Sequence, residues 1–359
     1  MRLTLIVANL MGGGVQRVIC NLANTSHAQG VDVRVLVLSN LSDGHLDFGS
    51  VPVSIIGKKT LRSSLVKLYR QMQMAKSDEC IITGQPHVNT AVLALAKLSR
   101  SKARVFITEH NPIDLSLTAK ESMVQRVKWM LYPYSAGIIC VGKAIEDAIR
   151  KRANLVDHRI VTIYNPVVPP AMPMPFRKRL DGVGENVPFE IVCIGRLQKQ
   201  KNFALAISTV AKLEKAGVNF CLRIIGKGEE QPELQALAKK SLDPSSYVFD
   251  GFRTDIYNVL SQSHCLLMTS RWEGFGIVVV EALMSGVTVV STNCPGPAEI
   301  LANGAYGELA KHTPEALAKA LRRAMVQPRD PLILRARADE ISNPVHIFNE
   351  YIRFINDTK

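Results

Sequence analysis

The 359-residue sequence contains no apolar run near the roughly 20 residues that a membrane-spanning helix needs. Its opening, MRLTLIVANLMGGG, holds an apolar stretch of only about eight residues before glycines and a helical pattern. No small-residue cleavage site follows, so a buried first strand is expected there rather than a leader. The seven cysteines (Cys20, Cys80, Cys140, Cys193, Cys221, Cys265 and Cys294) are odd in number and scattered. None forms a CxxC or stands at metal-ligand spacing from a histidine, which argues against a disulfide framework and against a zinc site. Reduced thiols in a cytoplasmic protein fit this usage. Aromatics are only 6% of the chain and do not interleave with Lys and Arg, so a nucleic-acid-binding module is disfavoured. No internal repeat or low-complexity segment is present.

Acidic residues are scarce in the first half alone. Residues 1–165 carry 21 Lys and Arg against 11 Asp and Glu, whereas residues 166–359 carry 23 against 20. A half-molecule this basic selects an anionic partner such as a membrane surface, a nucleic acid or a phosphorylated ligand.

What is present is alternation. Val/Ile/Leu-rich runs at 3–8, 32–38, 51–56, 79–83, 104–109, 137–141 and 160–163 are separated by amphipathic patterns at 15–28, 61–76, 88–99, 119–131 and 143–152. Residues 165–189 are rich in Pro and Gly and read as a linker. Beyond them, strands are expected near 190–194, 220–225, 247–250, 264–268 and 287–291. Helices are expected near 201–216, 230–241, 254–262, 275–285 and 314–326. The rhythm predicts an α/β protein of two doubly wound, Rossmann-like domains, residues 1–165 and 166–343. A last helix near 344–359 has no strand after it and is expected to cross back to the first domain. Such sheets bind ligands at the carboxyl ends of their strands, so two facing domains would enclose a site in a central cleft.

Three segments carry candidate chemistry. In RWEGFGIVVVEALMSGVTVVS, Glu273 lies in a glycine-containing turn after a strand and Glu281 on the following helix. If the helix covers the whole span, the two lie roughly 12 Å apart. That is too far for an acid and base flanking one glycosidic bond, and suits opposite ends of an extended ligand. Gly274 and Gly276 allow close backbone approach, and helix-opening amides favour an anion. Either glutamate alone would suit a solvated turn; the combination favours a ligand. In IGRLQKQKN, Arg196 and Lys201 follow a buried strand, a forked and a compact cation suited to a diphosphate, with Lys199 as an alternative. The turn MGGGVQRV after the first strand is a weak phosphate-loop pattern, with neither a G-x-G-x-x-G register nor a Walker lysine. On spacing alone, a packing turn is as good a reading of it.

Residues 273–300, EGFGIVVVEALMSGVTVVSTNCPGPAEI, resemble the E-x7-E region of the family-four retaining glycosyltransferases of the GT-B fold. The resemblance implies that Glu273 contacts the transferred sugar, Glu281 the nucleotide ribose, and the Gly274-Phe275-Gly276 backbone the sugar and phosphates. It implies diphosphate-binding roles for Arg196 and Lys201. The 12–18 stretch resembles the family's G-G-A-E-R-V element, facing donor phosphate and acceptor, with Gly13 matching and Gly14 and Gln16 replacing Ala and Glu. Thr108-Glu109-His110 resembles the family's T/S-E-H, which places His110 near sugar and acceptor in a positioning or polarising role. Gly226-Lys227-Gly228-Glu229 and Phe249-Asp250-Gly251-Phe252 resemble loops around the nucleotide base. Gly296-Pro297-Ala298-Glu299-Ile300 is a further family element.

The whole-chain resemblance runs to transferases that build bacterial surface polysaccharides or extend polyprenyl-diphosphate-linked glycans, including the N-acetylgalactosaminyltransferases of bacterial N-glycan assembly. It implies a retaining, metal-independent transfer without cofactor from a UDP-sugar donor. The nucleoside diphosphate would depart first, the acceptor hydroxyl would attack the same face, and the departing phosphate would take the proton. The first domain would hold the acceptor and the second the donor. An amphipathic stretch over 58–76 places Leu61, Leu65, Leu68, Met72 and Ala75 on one stripe. Lys58, Lys59, Arg62, Lys67, Arg70 and Lys76 occupy other faces. With Arg126, Lys128 and Trp129, it is a candidate contact for an anionic membrane, although a core-facing helix shows the same stripe. The expected location is the cytoplasmic face of the plasma membrane, with other enzymes of the pathway as further candidate partners. Two same-fold alternatives are a nucleotide-sugar epimerase and a hydrolase.

Overall fold

The computed structural model describes residues 1–42, 46–111, 123–152, 159–169 and 187–358. The chain divides into two compact units, Met1–Val168 with Ser342–Lys359, and Pro169–Ile341. Most of the expected linker, residues 170–186, lies outside the described residues, as do residues 119–122 of an expected helix.

The first unit is built on seven parallel strands, β1 Arg2–Val7, β2 Asp32–Val37, β3 Val53–Ile55, β4 Glu79–Thr83, β5 Arg104–Glu109, β6 Gly137–Cys140 and β7 Ile160–Thr162, in the order β3-β2-β1-β4-β5-β6-β7. The central strands are continuous apolar runs because helices cover both faces of a parallel sheet. Edge strand β3 is exposed throughout. The helices are α1 Gly14–Ala28, α2 Leu65–Met74, α3 Pro86–Leu98, α4 Met123–Leu131 and α5 Lys143–Arg152.

The second unit interleaves β8 Phe189–Ile194, α6 Phe203–Glu214, β9 Phe220–Ile225, α7 Gln231–Ser241, β10 Tyr247–Gly251, α8 Ile256–Ser261, β11 Cys265–Met268, α9 Ile277–Met284, β12 Thr288–Thr292, α10 Pro295–Ile300, β13 Glu308–Ala310, α11 Pro314–Val326 and α12 Pro331–Ser342. Its six parallel strands run β10-β9-β8-β11-β12-β13. Both sheets therefore reverse their winding once, between β1 and β4 in the first unit and between β8 and β11 in the second. In an open α/β sheet, ligands bind beside the carboxyl ends at that reversal.

The last helix, α13 Pro344–Asp357, belongs to the first unit. Proline at its first turn costs no helical hydrogen bond, and the Asn343 side chain caps the amides of Val345 and His346. Its apolar face, Ile347, Tyr351, Phe354 and Ile355, joins the core formed by β1, β2, β4, β5 and β6. Phe354 lies edge-on to Phe106 with ring centroids 6.0 Å apart. A methyl group on Gly137 would come within 2.7 Å of the Phe354 ring, so that glycine leaves the aromatic its place.

The basic stretch over 58–76 takes the core-facing form. Leu68, Met72 and Ala75 are buried, and α2 packs against α3. Period and stripe width are the same for a helix lying on a core as for one lying on a lipid surface, so the pattern alone did not separate them. Outward it presents Lys58, Lys59, Arg62, Lys67, Arg70 and Lys76, with Val66 and Met74 exposed among them. Lys128 and Trp129 are not the interfacial pair the sequence offered. Lys128 is largely buried in an ion pair with Glu109, and Trp129 is half-buried against Tyr132.

Replacing Phe354 with Ala removes an aromatic from this core and is expected to destabilise the first unit by about 3–5 kcal/mol. Denaturant unfolding followed by first-unit amide exchange should show the loss there and leave the protection of β8 and β11 unchanged.

Candidate active site

In the second unit, three loops that leave neighbouring strands at their carboxyl ends are tied together. After β8, the Gln200 carbonyl accepts from the Arg271 amide at 2.8 Å, and the Lys201 carbonyl accepts from Thr269 Oγ1 at 3.0 Å. The Gln200 side-chain amide donates to the Trp272 carbonyl at 3.1 Å. These contacts join the loop after β8 to the loop after β11. The Gly296 amide, after β12, donates to the Glu273 carbonyl at 3.2 Å. A side chain on Gly296 would collide with the Phe275 carbonyl, 2.5 Å from its first carbon.

Within this frame the Lys201 ammonium donates directly to the Glu273 carboxylate, both side chains being mostly buried. Two residues that sequence spacing set 72 positions apart thus form one ion pair at the winding reversal. Arg196 stands on the same loop but is exposed; its carbonyl accepts from the Gln198 amide at 2.8 Å, while its guanidinium has no hydrogen-bonding or ionic partner among the described residues. Lys199 is likewise exposed. Glu281 is buried on α9. That helix starts only at Ile277, after Gly276 in the left-handed region at φ 106°. Residues 273–276 are therefore loop, and the helical spacing expected between the two glutamates does not apply. Phe275 is buried, and its backbone packs closely against Gly296.

The glycine loop after β9 supports the first of these loops. The Gly195 amide donates to the Ile225 carbonyl at 2.9 Å, the Leu197 amide to the Lys227 carbonyl at 3.0 Å, and the Glu230 amide to the Leu197 carbonyl at 3.1 Å. Gly226, at φ 140°, lies so close that a side chain would meet the Gly195 carbonyl oxygen at 1.8 Å. Only glycine fits there. Beside it, Gly251 accepts from the Gly226 amide at 2.7 Å, and Phe252 is exposed. A hollow of about 320 Å³ lies at the opposite, amino end of β8–β10, lined by residues such as Glu190, Glu214 and Cys221, away from these groups.

The first unit gathers its own cluster at the reversal between β1 and β4. The Gln85 side chain accepts from the Ala8 amide at 2.8 Å and links the loops after both strands. Asn9 Oδ1 accepts from the Met11 amide at 3.1 Å and from Gln16 Nε2 at 3.0 Å. Gln16 is buried, so its amide shapes the glycine turn. Gly13 precedes α1 as its cap, without a capping side chain, and Gly14 opens the helix exposed. His110, at the end of β5, shares a hydrogen bond of 2.8 Å with Thr108 Oγ1 through Nε2. Gly84, directly after β4, lets this pair approach α1: a methyl group there would lie 2.6 Å from Thr108 Oγ1, 3.0 Å from His110 Nε2 and 3.0 Å from Val15 Cγ1. Sequence reading did not single out Gly84, Gln85 or Asn9. Their position directly after β4 and β1, flanking the winding reversal, was the available signal.

Two family descriptions match the chain in succession. "Glycosyltransferase Family 4" covers residues 12–169 and "Glycosyl transferases group 1" covers residues 183–342. The chain is a GT-B glycosyltransferase of the family-four type. It is 25% identical over 299 residues to the amylovoran biosynthesis glycosyltransferase AmsD of Erwinia amylovora, covering 78% of this chain and 82% of that one. It is 23% identical to the human alpha-1,3/1,6-mannosyltransferase ALG2, with 96% and 92% covered. The structure of Anabaena HepE in complex with UDP-glucose superposes with a TM-score of 0.82 at 18% identity, covering 99% of this chain and 100% of that one.

In this glycosyltransferase burial lowers the His110 pKa from 6.5 to about 4. The imidazole is neutral at physiological pH, with Nε2 held against Thr108 Oγ1. Between pH 6.5 and 4 the unfolded chain binds a proton at this position that the folded chain does not, so stability falls as pH falls. The loss from this group is at most about 2 kcal/mol between pH 7.5 and pH 5. Thermal unfolding of wild type and His110→Gln across that range is expected to show a shallower acid slope in the variant; parallel slopes would mean the imidazole titrates normally.

Proposed function

We propose that this glycosyltransferase moves a hexose or N-acetylhexosamine, with retention, from a UDP-sugar to a polyprenyl-diphosphate-linked glycan, without a metal ion. The observation that carries this reading is the Lys201–Glu273 pair beside an uncommitted Arg196 at the winding reversal of the second unit. A diphosphate needs cations and oriented amides, and Arg196, Lys201 and the amides opening α9 supply them. The transferred sugar needs an acceptor for its hydroxyls, and Glu273 supplies one next to those cations. Glu281, one helix further along, is assigned the ribose. Neutralisation of the diphosphate is assigned to the chain's own cations, Arg196 and Lys201. Solved structures of this fold hold UDP-glucose in HepE, and UDP with GlcNAc in the pneumococcal O-GlcNAc transferase GtfA.

In the proposed reaction the bond from the anomeric carbon to the β-phosphate oxygen breaks, and its electron pair leaves with UDP. Arg196 and Lys201 stabilise the developing charge. The acceptor hydroxyl forms the new bond on the same face, and its proton passes to the departing phosphate. His110, neutral and held by Thr108, positions sugar and acceptor without titrating in the working range. The glycine turn 12–14 with the start of α1 is assigned to face the donor phosphate and the acceptor.

The lipid-linked acceptor is assigned to a membrane surface at the cytoplasmic face. No helix among the described residues is long and apolar enough to cross a membrane, and the support lies in charge: six lysines and arginines over 58–76 face outward. Each cation near an anionic surface contributes about 1 kcal/mol.

Donor screening by nucleotide release, with a polyprenyl-diphosphate glycan as acceptor, is expected to show turnover with a UDP-sugar that EDTA leaves unchanged. Arg196→Ala, Lys201→Ala and Glu273→Ala should each slow transfer by about two orders of magnitude or more. Near-normal rates in all three, or an absolute need for a divalent ion, would overturn the assignment. Separately, replacing the six basic residues of 58–76 with Gln is expected to weaken sedimentation with phosphatidylglycerol vesicles at least tenfold and to spare neutral ones. Equal binding by wild type and variant would remove the membrane role of that surface.

A further inference from the structure

We propose that Glu109 is a positioning residue for the transfer reaction, acting on His110 through the end of β5; this rests on the role assigned to His110 above. Side chains alternate along a strand, so Thr108 and His110 share one face of β5 and Glu109 turns to the other. There its carboxylate is 1% exposed and accepts from three donors: Lys128 Nζ at 3.0 Å, the Tyr132 hydroxyl, and Asn89 Nδ2 at 3.3 Å. The donors come from α4, from the turn after α4, and from α3. Asn89 also donates to the Thr108 carbonyl at 3.0 Å, and the Val141 amide donates to the Glu109 carbonyl at 3.1 Å. The main chain of the two residues before His110, and the Glu109 side chain, are thereby fixed from behind.

A buried ion pair is an expensive way to fill a core, since apolar side chains of similar volume pack there at less cost. Here the arrangement also leaves Asn89 Oδ1 and Trp129 Nε1 buried without hydrogen-bond partners. What the network provides that apolar packing would not is direction: three fixed donors converge on one carboxylate and set the lateral position of the strand end. On its front face, among the described residues, that strand end presents the Thr108–His110 pair against Gly84 and α1. The consequence belongs to placement of the imidazole, because Glu109 itself points away from it. Misplacement of a reacting group by about 1 Å costs on the order of 100-fold in rate. Loss of one charge in the clamp is expected to cost less, about tenfold.

The test is a double-mutant cycle in the full-length enzyme, measured with UDP-glucose and UDP-N-acetylglucosamine as donors and a polyprenyl-diphosphate glycan as acceptor. Glu109→Gln should lower kcat about tenfold and leave the donor KM within about twofold, because the donor groups lie in the other unit. Added to His110→Asn, it should cause no further loss, since its effect passes through a residue already removed. Effects that multiply, or an unchanged kcat in Glu109→Gln, would overturn the proposal. A wild-type kcat in His110→Asn would instead overturn the role of His110 itself. Should Glu109→Gln unfold because Lys128 is left unpaired, the neutral pair Glu109→Gln with Lys128→Met is read in its place against the same criteria.

Discussion

An ammonium and a carboxylate meet where the winding of the second sheet reverses, and their meeting depends on neighbouring backbones being locked first. The loops after β8, β11 and β12 exchange amide and carbonyl contacts through Gln200, Lys201, Thr269, Arg271 and Gly296. Glycines at 226 and 296 let further backbone press against them where any side chain would collide. Without that frame, Lys201 and Glu273 would be two flexible surface side chains, and a solvated ion pair of that kind contributes little. Held and mostly dehydrated, the pair becomes a fixed dipole, the sort of preorganised charge that acts on a developing negative centre without having to reorient.

The first unit solves a related problem with a neutral group. Burial keeps His110 from carrying charge at physiological pH, and Thr108 fixes one ring nitrogen. The loop that approaches it is shaped by amide side chains, Gln85, Asn9 and Gln16, rather than by ions. The two units thus differ at their winding reversals: an ion pair in the second, oriented neutral dipoles in the first, whose Glu109–Lys128 pair stands behind β5.

Much of this was legible in the sequence for a plain physical reason. Strands of a parallel sheet are buried on both faces, so ECIIT, GIIC and FEIVCI announce themselves as apolar runs, and the glycines at 84 and 195, directly after the first and last of these, mark turns at the carboxyl ends. Short or disguised elements were not legible. The three-residue strand Glu308–Ala310 has too few apolar residues to show a pattern. Helix Pro295–Ile300 begins with Pro-Gly-Pro, a run that reads as a turn although prolines are tolerated in a first helical turn. Lys128 looked like a surface cation because its partner Glu109 lies 19 positions earlier, and no local rule connects the two. The same holds for the pairing of Lys201 with Glu273. Sequence spacing pointed to each residue separately, while their contact depends on how the strands are ordered.

The placement of α13 bears on how the chain can be made. Ile347, Tyr351, Phe354 and Ile355 complete the core of a unit whose seven strands are all encoded before residue 163. During synthesis the first sheet therefore leaves the ribosome with part of one face, beside α1, still uncovered, and stays so while the entire second unit emerges. The second unit needs nothing beyond its own segment and is free to close first. The core encoded first is thus the last to be completed, and until α13 arrives its uncovered apolar surface is the nascent chain's exposure to aggregation.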